Sequence, residues 1–220
     1  PGRRAAARRA RLPEALRRIA GLPGSERFER AMAAIDAANA EDPNRIVVRG
    51  RERPKELAHA ELATEWLLRL VARPGEALRL AVRAHHLRRW RSPRSDHPPG
   101  RPGYLRWRRA LQKQHAEDVG RILEEAGYPA ELVSRVQDIV RKRGLGADPE
   151  VQAFEDALCL VFVETQLADF AAEHSSEKAV EVLRKTLRKM SPEARTLALS
   201  LDVAAPAREL LEQAAAQAAG

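Results

Sequence analysis

Residues 148–172 read Asp148-Pro-Glu-Val-Gln-Ala-Phe-Glu-Asp-Ala-Leu-Cys-Leu-Val-Phe-Val-Glu-Thr-Gln-Leu-Ala-Asp-Phe-Ala-Ala172, the most hydrophobic long run of the chain. The stretch opens as a helix opens. Asp148 can accept from the free amides of a first turn, Pro149 suits the first helical position, and Glu150 favours the positive end of the dipole. From Val151 to Phe170 apolar residues fall on nearly every side, which predicts a buried central helix. Glu155, Asp156, Glu164 and Asp169 interrupt the run, so it does not read as a membrane span. Glu155 and Asp156 stand between Phe154 and Leu158. A carboxylate among apolar neighbours is costly unless it is paired, protonated or bound to a metal. The central helix should therefore meet a cation there, either as an ion pair with one of the arginines or at a metal or catalytic site.

Outward from this helix the composition is that of an all-α protein. Hydrophobic residues make up 44% of 220, enough for a core, while aromatics are only 4%. Ala, Leu, Arg and Glu dominate, and these are good helix formers. Ile46-Val47-Val48 is the one strand-like triplet. The expected architecture is a single helical domain of about eight to nine helices over residues 25–220, behind a basic flexible arm over 1–24. The formal charge is +8, yet residues 1–20 hold seven arginines against the single acid Glu14, a balance of +6. About +2 is left for the rest, so the high pI by itself does not mark the domain as a nucleic-acid binder. Cys159 is the only cysteine and lies inside the central helix, where it reads as a small buried hydrophobe. The lack of any intrachain disulfide, of a secretory h-region and of a membrane stretch leads to the expectation of a cytoplasmic protein without a membrane partner.

The other helices follow from capping and periodicity. Ser25 can cap a helix to Ala40 with Phe28, Met32 and Ile35 inward, and Asp42-Pro-Asn44 forms a turn. Residues 45–53 read as an irregular or extended link. Pro54 starts a helix to about Val71 on which Glu56 and His59 lie one turn apart and can face one site. A third helix is expected from Glu76 to Arg91, carrying His85 and His86. The loop Ser92–Gly103 holds four prolines and two glycines and predicts no regular structure. Tyr104 to about Ala126 reads as a fourth helix, with His115 on the buried stripe of Leu111, Val119 and Ile122. Pro129–Arg143 reads as a fifth. Helices at about 177–189, 192–200 and 206–218 complete the chain.

Candidate ligands thus sit on successive helices: His86 (or its neighbour His85), His115 and Asp156. Histidine nitrogen with carboxylate oxygen suits a divalent Fe, Mn, Zn or Ni ion. Glu155 and Glu56 are the candidates for general base or supporting carboxylate. Beside them lies a basic cluster. Arg89, Arg94 and Lys113 are the expected phosphate ligands, since guanidinium and ammonium groups bind phosphate, and Tyr104 is an expected substrate contact. This set predicts a metal-dependent enzyme, a phosphohydrolase acting on a phosphorylated small molecule or nucleotide. The alternative is a non-enzymatic helical module that binds RNA or tRNA, with RNA contact through the basic arm.

Particular stretches also carry a resemblance. Arg27-Phe-Glu-Arg-Ala-Met-Ala-Ala-Ile-Asp-Ala-Ala-Asn-Ala-Glu-Asp-Pro-Asn44, Arg53-Pro-Lys-Glu-Leu57, His86-Leu-Arg-Arg-Trp90 with Pro93-Arg-Ser-Asp96, Gly103-Tyr-Leu-Arg-Trp-Arg108 and Val151-Gln-Ala-Phe-Glu-Asp-Ala-Leu-Cys-Leu-Val-Phe-Val-Glu164 look like the DUF4202 family, over about residues 26–205. That family has no established function, and some members carry a loose glutamyl-tRNA synthetase label. This chain has no class I synthetase signature, and Lys189-Met-Ser191 is only a fragment of one. More distantly the pattern resembles the HD superfamily of helical metal-dependent phosphohydrolases and di-iron oxygenases. That resemblance implies an HD-like arrangement in which His86, His115 and Asp156 hold metal, with Glu56 or His59 at the earlier position. It leaves an HD-like iron oxygenase as a third reading. The doublet His85-His86 has no aspartate beside it, so the resemblance implies a mononuclear or altered site.

Overall fold

The computed structural model describes residues 25–219, so the basic arm expected over 1–24 lies outside the described residues. Ten α-helices and one two-stranded hairpin make up those residues. The all-α class is as expected, with more helices than the eight to nine anticipated, because one expected helix is broken in two.

That helix is the central one. It forms α6, Pro149–Thr165, capped by Asp148, whose side chain accepts from the amides of Glu150 and Val151. It packs against α2 (Lys55–Leu70), α3 (Glu76–Arg83), α5 (Ala130–Val140), α8 (Ser176–Lys189) and α9 (Pro192–Ser200). Contact on so many sides requires an apolar surface all round, and Phe154, Ala157, Leu160 and Val163 are almost completely buried. Burial of Phe154 alone contributes about 3 kcal/mol. At Gln166 the chain leaves helical geometry and restarts as α7, Leu167–Glu173. The hydrophobic pattern continues across that break, which is why the sequence reads as one helix.

The first helix, α1 (Glu26–Ala40), is capped by Ser25 as its sequence predicts. The expected link over 45–53 is instead an antiparallel hairpin, β1 (Arg45–Val48) with β2 (Arg51–Pro54). Arg49 and Gly50 turn it with φ values of 52° and 77°, the conformation a two-residue hairpin turn requires. Helix α2 follows directly. Its second amide, that of Glu56, has no cap from the adjoining Pro54. It is taken up by Asp42 Oδ2 at 2.9 Å, from fourteen residues upstream.

The expected third helix stops early. Helix α3 ends at Arg83, and residues 84–91 form tight turns in which Arg88 adopts a left-handed conformation, φ 54°. Side chains from elsewhere hold this turn. His115 donates to Leu87 O at 2.8 Å, Gln114 to Arg88 O at 3.3 Å, and Asn39 Oδ1 accepts from the Arg88 amide at 3.4 Å. No glycine or proline marks the stop, so only the packing decides it.

The proline-rich loop is ordered by short 3₁₀ turns at Arg89–Arg91 and Arg94–Asp96 and runs into α4, Gly100–Glu125. Helix α4 begins four residues earlier than expected. Gly103 is required there, since a Cβ at that position would lie 1.9 Å from Pro98 O. Helix α10 (Ala205–Ala219) packs against α8 and closes the described chain. No described helix is long and apolar enough to cross a membrane.

Candidate metal centre

The first turn of α2 and the turn after α3 bring three side chains together. Glu56, His59 and His86 each offer a ligand atom within 4.8 Å of the others'. Glu56 and His59 come from one helix face, as their spacing predicts. His86 arrives only because α3 stops at Arg83 and the chain turns back.

The hydrogen-bond partners decide where the protons sit. The Thr165 hydroxyl donates to Val161 O at 2.7 Å and stands 3.4 Å from His59 Nε2. His59 Nδ1, on the other side of the ring, lies 3.6 Å from Glu56 Oε2 and has no hydrogen-bond partner, although His59 is fully buried. His86 makes the closer contact. Its Nε2 accepts from Arg89 Nη1 at 3.3 Å, so its Nδ1 donates to Glu56 Oε2 at 3.1 Å.

His115 lines the same cavity, with its ring 5.9 Å from that of His86. Its Nδ1 donates to Leu87 O, which leaves Nε2 as a buried lone pair without a partner. Burial pushes His115 down to about 4 and His85 to about 3, and it holds His86 well below the ordinary imidazole value. These rings are neutral donors or ligands at neutral pH. Burial opposes the charge of Glu56, yet the histidines around it keep its carboxyl well below the usual range. The result is an ionised carboxylate among neutral imidazoles, a donor set that fits a divalent transition metal.

A cavity of about 1080 Å³ opens from the histidines. Arg89 sits at its inner end, with Nε 3.9 Å from Glu56 Oε1 and its guanidinium 5.1 Å above the Trp107 ring. Burial lowers the Arg89 guanidinium from its ordinary value and Glu56 opposes that. Tyr104 and Arg108 line the outer part, where Arg108 donates to the tyrosine hydroxyl at 3.2 Å. Seven arginines and lysines line the cavity against two acids, Glu155 and Glu181. That imbalance attracts anions.

Other expected site residues lie elsewhere. Asp156 is buried on the far side of α6, where its Oδ1 accepts from Ser191 N and Gln152 Nε2, each at 2.9 Å. It anchors the start of α9 and is not part of the histidine group. The two acids are neighbours on a helix, and a step of one residue turns a side chain by about 100°. Glu155 does line the cavity, but the cations it meets are Lys142 and Lys189 (the latter at 2.9 Å) and not an arginine or a metal cluster. Arg94 donates to His97 O at 2.8 Å and Pro98 O at 2.9 Å, tying the loop to itself. Lys113 is exposed and 3.7 Å from Glu117, outside the cavity. The HD-like resemblance makes His59 an alternative to Glu56, whereas the structure joins the two, as their helical spacing allows. Asp42, Lys142 and Lys189 carry no site signal in the sequence. Asp42 carried a signal as a turn residue, but its bond to Glu56 N depends on the hairpin that folds between them.

Residues 29–211 match a family described as a domain of unknown function, DUF4202. The chain belongs to that family. No curated protein and no solved structure matches it. The matched span of this DUF4202 member includes Glu56, His59, His86, Arg89 and His115, so the whole histidine cluster lies within the family domain.

Proposed function

We propose that this DUF4202 protein is a metal-dependent phosphohydrolase acting on phosphorylated small molecules, with Glu56, His59 and His86 as the ligands of one divalent ion, His86 offering a ring nitrogen once Arg89 turns from it to the phosphoryl group. The observation that carries the proposal is the buried His59 Nδ1, 3.6 Å from the Glu56 carboxylate and without a hydrogen-bond partner. A cation between them gives this nitrogen a partner, and leaving it unsatisfied costs about 1–3 kcal/mol. Three protein ligands leave a coordination position open, and a metal held there supplies a water of lowered pKa. Arg89 binds a phosphoryl oxygen at the same end of the cavity and keeps its charge beside Glu56. His115 Nε2 accepts a proton from the attacking water or a hydrogen bond from the substrate. Glu155 is left out of this step because Lys142 and Lys189 occupy its oxygens. The reading retains the HD-like idea of histidines and a carboxylate from successive helices, but with α2 and the turn after α3 in place of Asp156.

The test is elemental analysis of the full chain, purified without a tag and reconstituted in turn with Mn, Zn, Ni and Fe(II), followed by assay on a panel of phosphomonoesters. About one ion per chain is expected, lost in the double variant Glu56→Gln/His59→Ala, together with phosphate release that depends on the metal. A protein that takes up no metal under any of these conditions overturns the proposal. Uptake of iron with oxygen consumption and no phosphate release replaces phosphohydrolysis by oxygenase chemistry.

A further inference from the structure

The wall of the cavity formed by α5 and α8 has a feature that metal chemistry does not use. Lys142 closes α5 in a left-handed conformation, φ 58°. Its amide bonds to Ile139 O at 2.8 Å and the Arg143 amide to Asp138 O at 3.0 Å. This is the helix ending in which glycine is the usual residue, because a Cβ is strained there. Glycine is available nearby, at Gly144 and Gly146, both also left-handed. A lysine holds the strained position instead, and the ammonium passes 5.9 Å from the Phe154 ring to reach Glu155. Lys189, from the last turn of α8, reaches the other oxygen of the same carboxylate at 2.9 Å.

Two ammonium groups therefore share one carboxylate, and both lysines line the cavity. The surplus is one positive charge, with several N–H donors left unused. Lys178 and Lys185 continue the wall, and Phe154, Leu158 and Phe162 give it an apolar surface. Backbone strain is retained where surrounding structure or function holds it. Here it places a charge beside the cavity that Arg89 also lines.

We infer that Lys142 and Lys189 form a second anion subsite, and that the substrate is an organic phosphate carrying a second anionic group beyond an apolar or aromatic body. This rests on the metal-dependent phosphohydrolase reading for the first anion only.

Titration calorimetry on the full chain, with and without Mn²⁺, compares adenosine 3′,5′-bisphosphate with adenosine 5′-monophosphate. The bisphosphate should bind at least tenfold more tightly. Lys189→Met, which leaves Glu155 paired with Lys142, should remove most of that preference and leave monophosphate binding unchanged. The triple variant Lys142→Met/Lys189→Met/Glu155→Gln should remove it entirely without stranding a buried carboxylate. Equal affinity for the two nucleotides, no measurable binding of the bisphosphate at millimolar concentration, or equal losses for both nucleotides in the variants would overturn the inference. A protein that takes up no metal yet prefers the bisphosphate loses the hydrolase reading and keeps the subsite. One that takes up metal without the preference loses the subsite alone.

Discussion

His86 Nδ1 lies 3.1 Å from Glu56 Oε2, although the two residues are 30 positions apart in sequence. His59 Nδ1 lies 3.6 Å from the same oxygen. One carboxylate oxygen is therefore the meeting point of two imidazoles, one in hydrogen-bond contact and the other just beyond it.

Replacement of a ligand should abolish metal binding, while replacement of a neighbour should not. Glu56→Gln, His59→Ala and His86→Ala are each expected to weaken metal affinity by more than about 100-fold, since loss of even supporting partners costs about 10–100-fold. His115→Ala should keep about one ion per chain and lose turnover, because His115 stands outside the group of atoms within 4.8 Å. Metal content and phosphate release measured on the same four proteins separate the two outcomes. Loss of metal in His115→Ala with retention in His59→Ala would reverse the assignment.

Asp42 positions Glu56 through its backbone amide and also accepts from the amide of Asn44 at 2.9 Å. Asp42→Ala leaves the start of α2 uncapped and should cost about 1–2 kcal/mol of stability. It should also lower metal affinity by about tenfold. Asp42→Asn keeps one acceptor and should recover part of both. A stability loss without any change in metal affinity would limit Asp42 to capping.

Arg89 should govern anion affinity and leave the metal untouched. A hydrogen bond to a charged group contributes about 1.5–3 kcal/mol, so Arg89→Met is expected to weaken inorganic phosphate binding about 10–100-fold. Arg89→Lys should restore only part, since an ammonium cannot reproduce the planar fork that stacks on Trp107. Phosphate titrations of the metal-loaded protein provide the check, and unchanged affinity in Arg89→Met would remove Arg89 from the site.

Glu155 makes a specific contribution to acid stability. Burial would raise its carboxyl, but Lys142 and Lys189 outweigh burial and hold it at about 2, against 4.5 for a free glutamate. A depressed carboxyl stabilises the fold above its unfolded value and loses that contribution as pH falls through the folded value. The contribution should be complete above about pH 6, decline below 4.5 and vanish near 2, with a size on the order of 3 kcal/mol. Urea unfolding midpoints at pH 7, 5 and 3 should therefore fall less steeply in Glu155→Gln than in the natural protein. Parallel pH profiles would show that the lysine pairs add nothing.

Local signals in the sequence carry much of the fold. Ser25, Asp148 and Pro149 mark helix starts, and the structure places those caps where the sequence predicts them. Capping and the 3.6-residue repeat depend only on near neighbours, so they can be read without the fold. The same locality makes Glu56 and His59 legible as a pair on one helical turn. The all-apolar surface of 151–163 likewise announces a central helix, because no other position in a helical protein buries every side.

Tertiary contacts decided the rest. The end of α3 at Arg83 has no local marker. It follows from His115, Gln114 and Asn39 capturing the backbone of Leu87 and Arg88, and it is what delivers His86 to Glu56. Asp156 and Glu155 are equally acidic in sequence, yet one meets the backbone of α9 and the other two lysines, since a single helical step sends them to different neighbours. Lys142 at a glycine-like turn could be recognised only once its backbone angle and its reach to Glu155 were known. The sequence determined which helices form and where most begin, because those terms are local. The fold alone determined which histidines and carboxylates meet, because a meeting between distant side chains depends on how helices pack and not on the residues beside them.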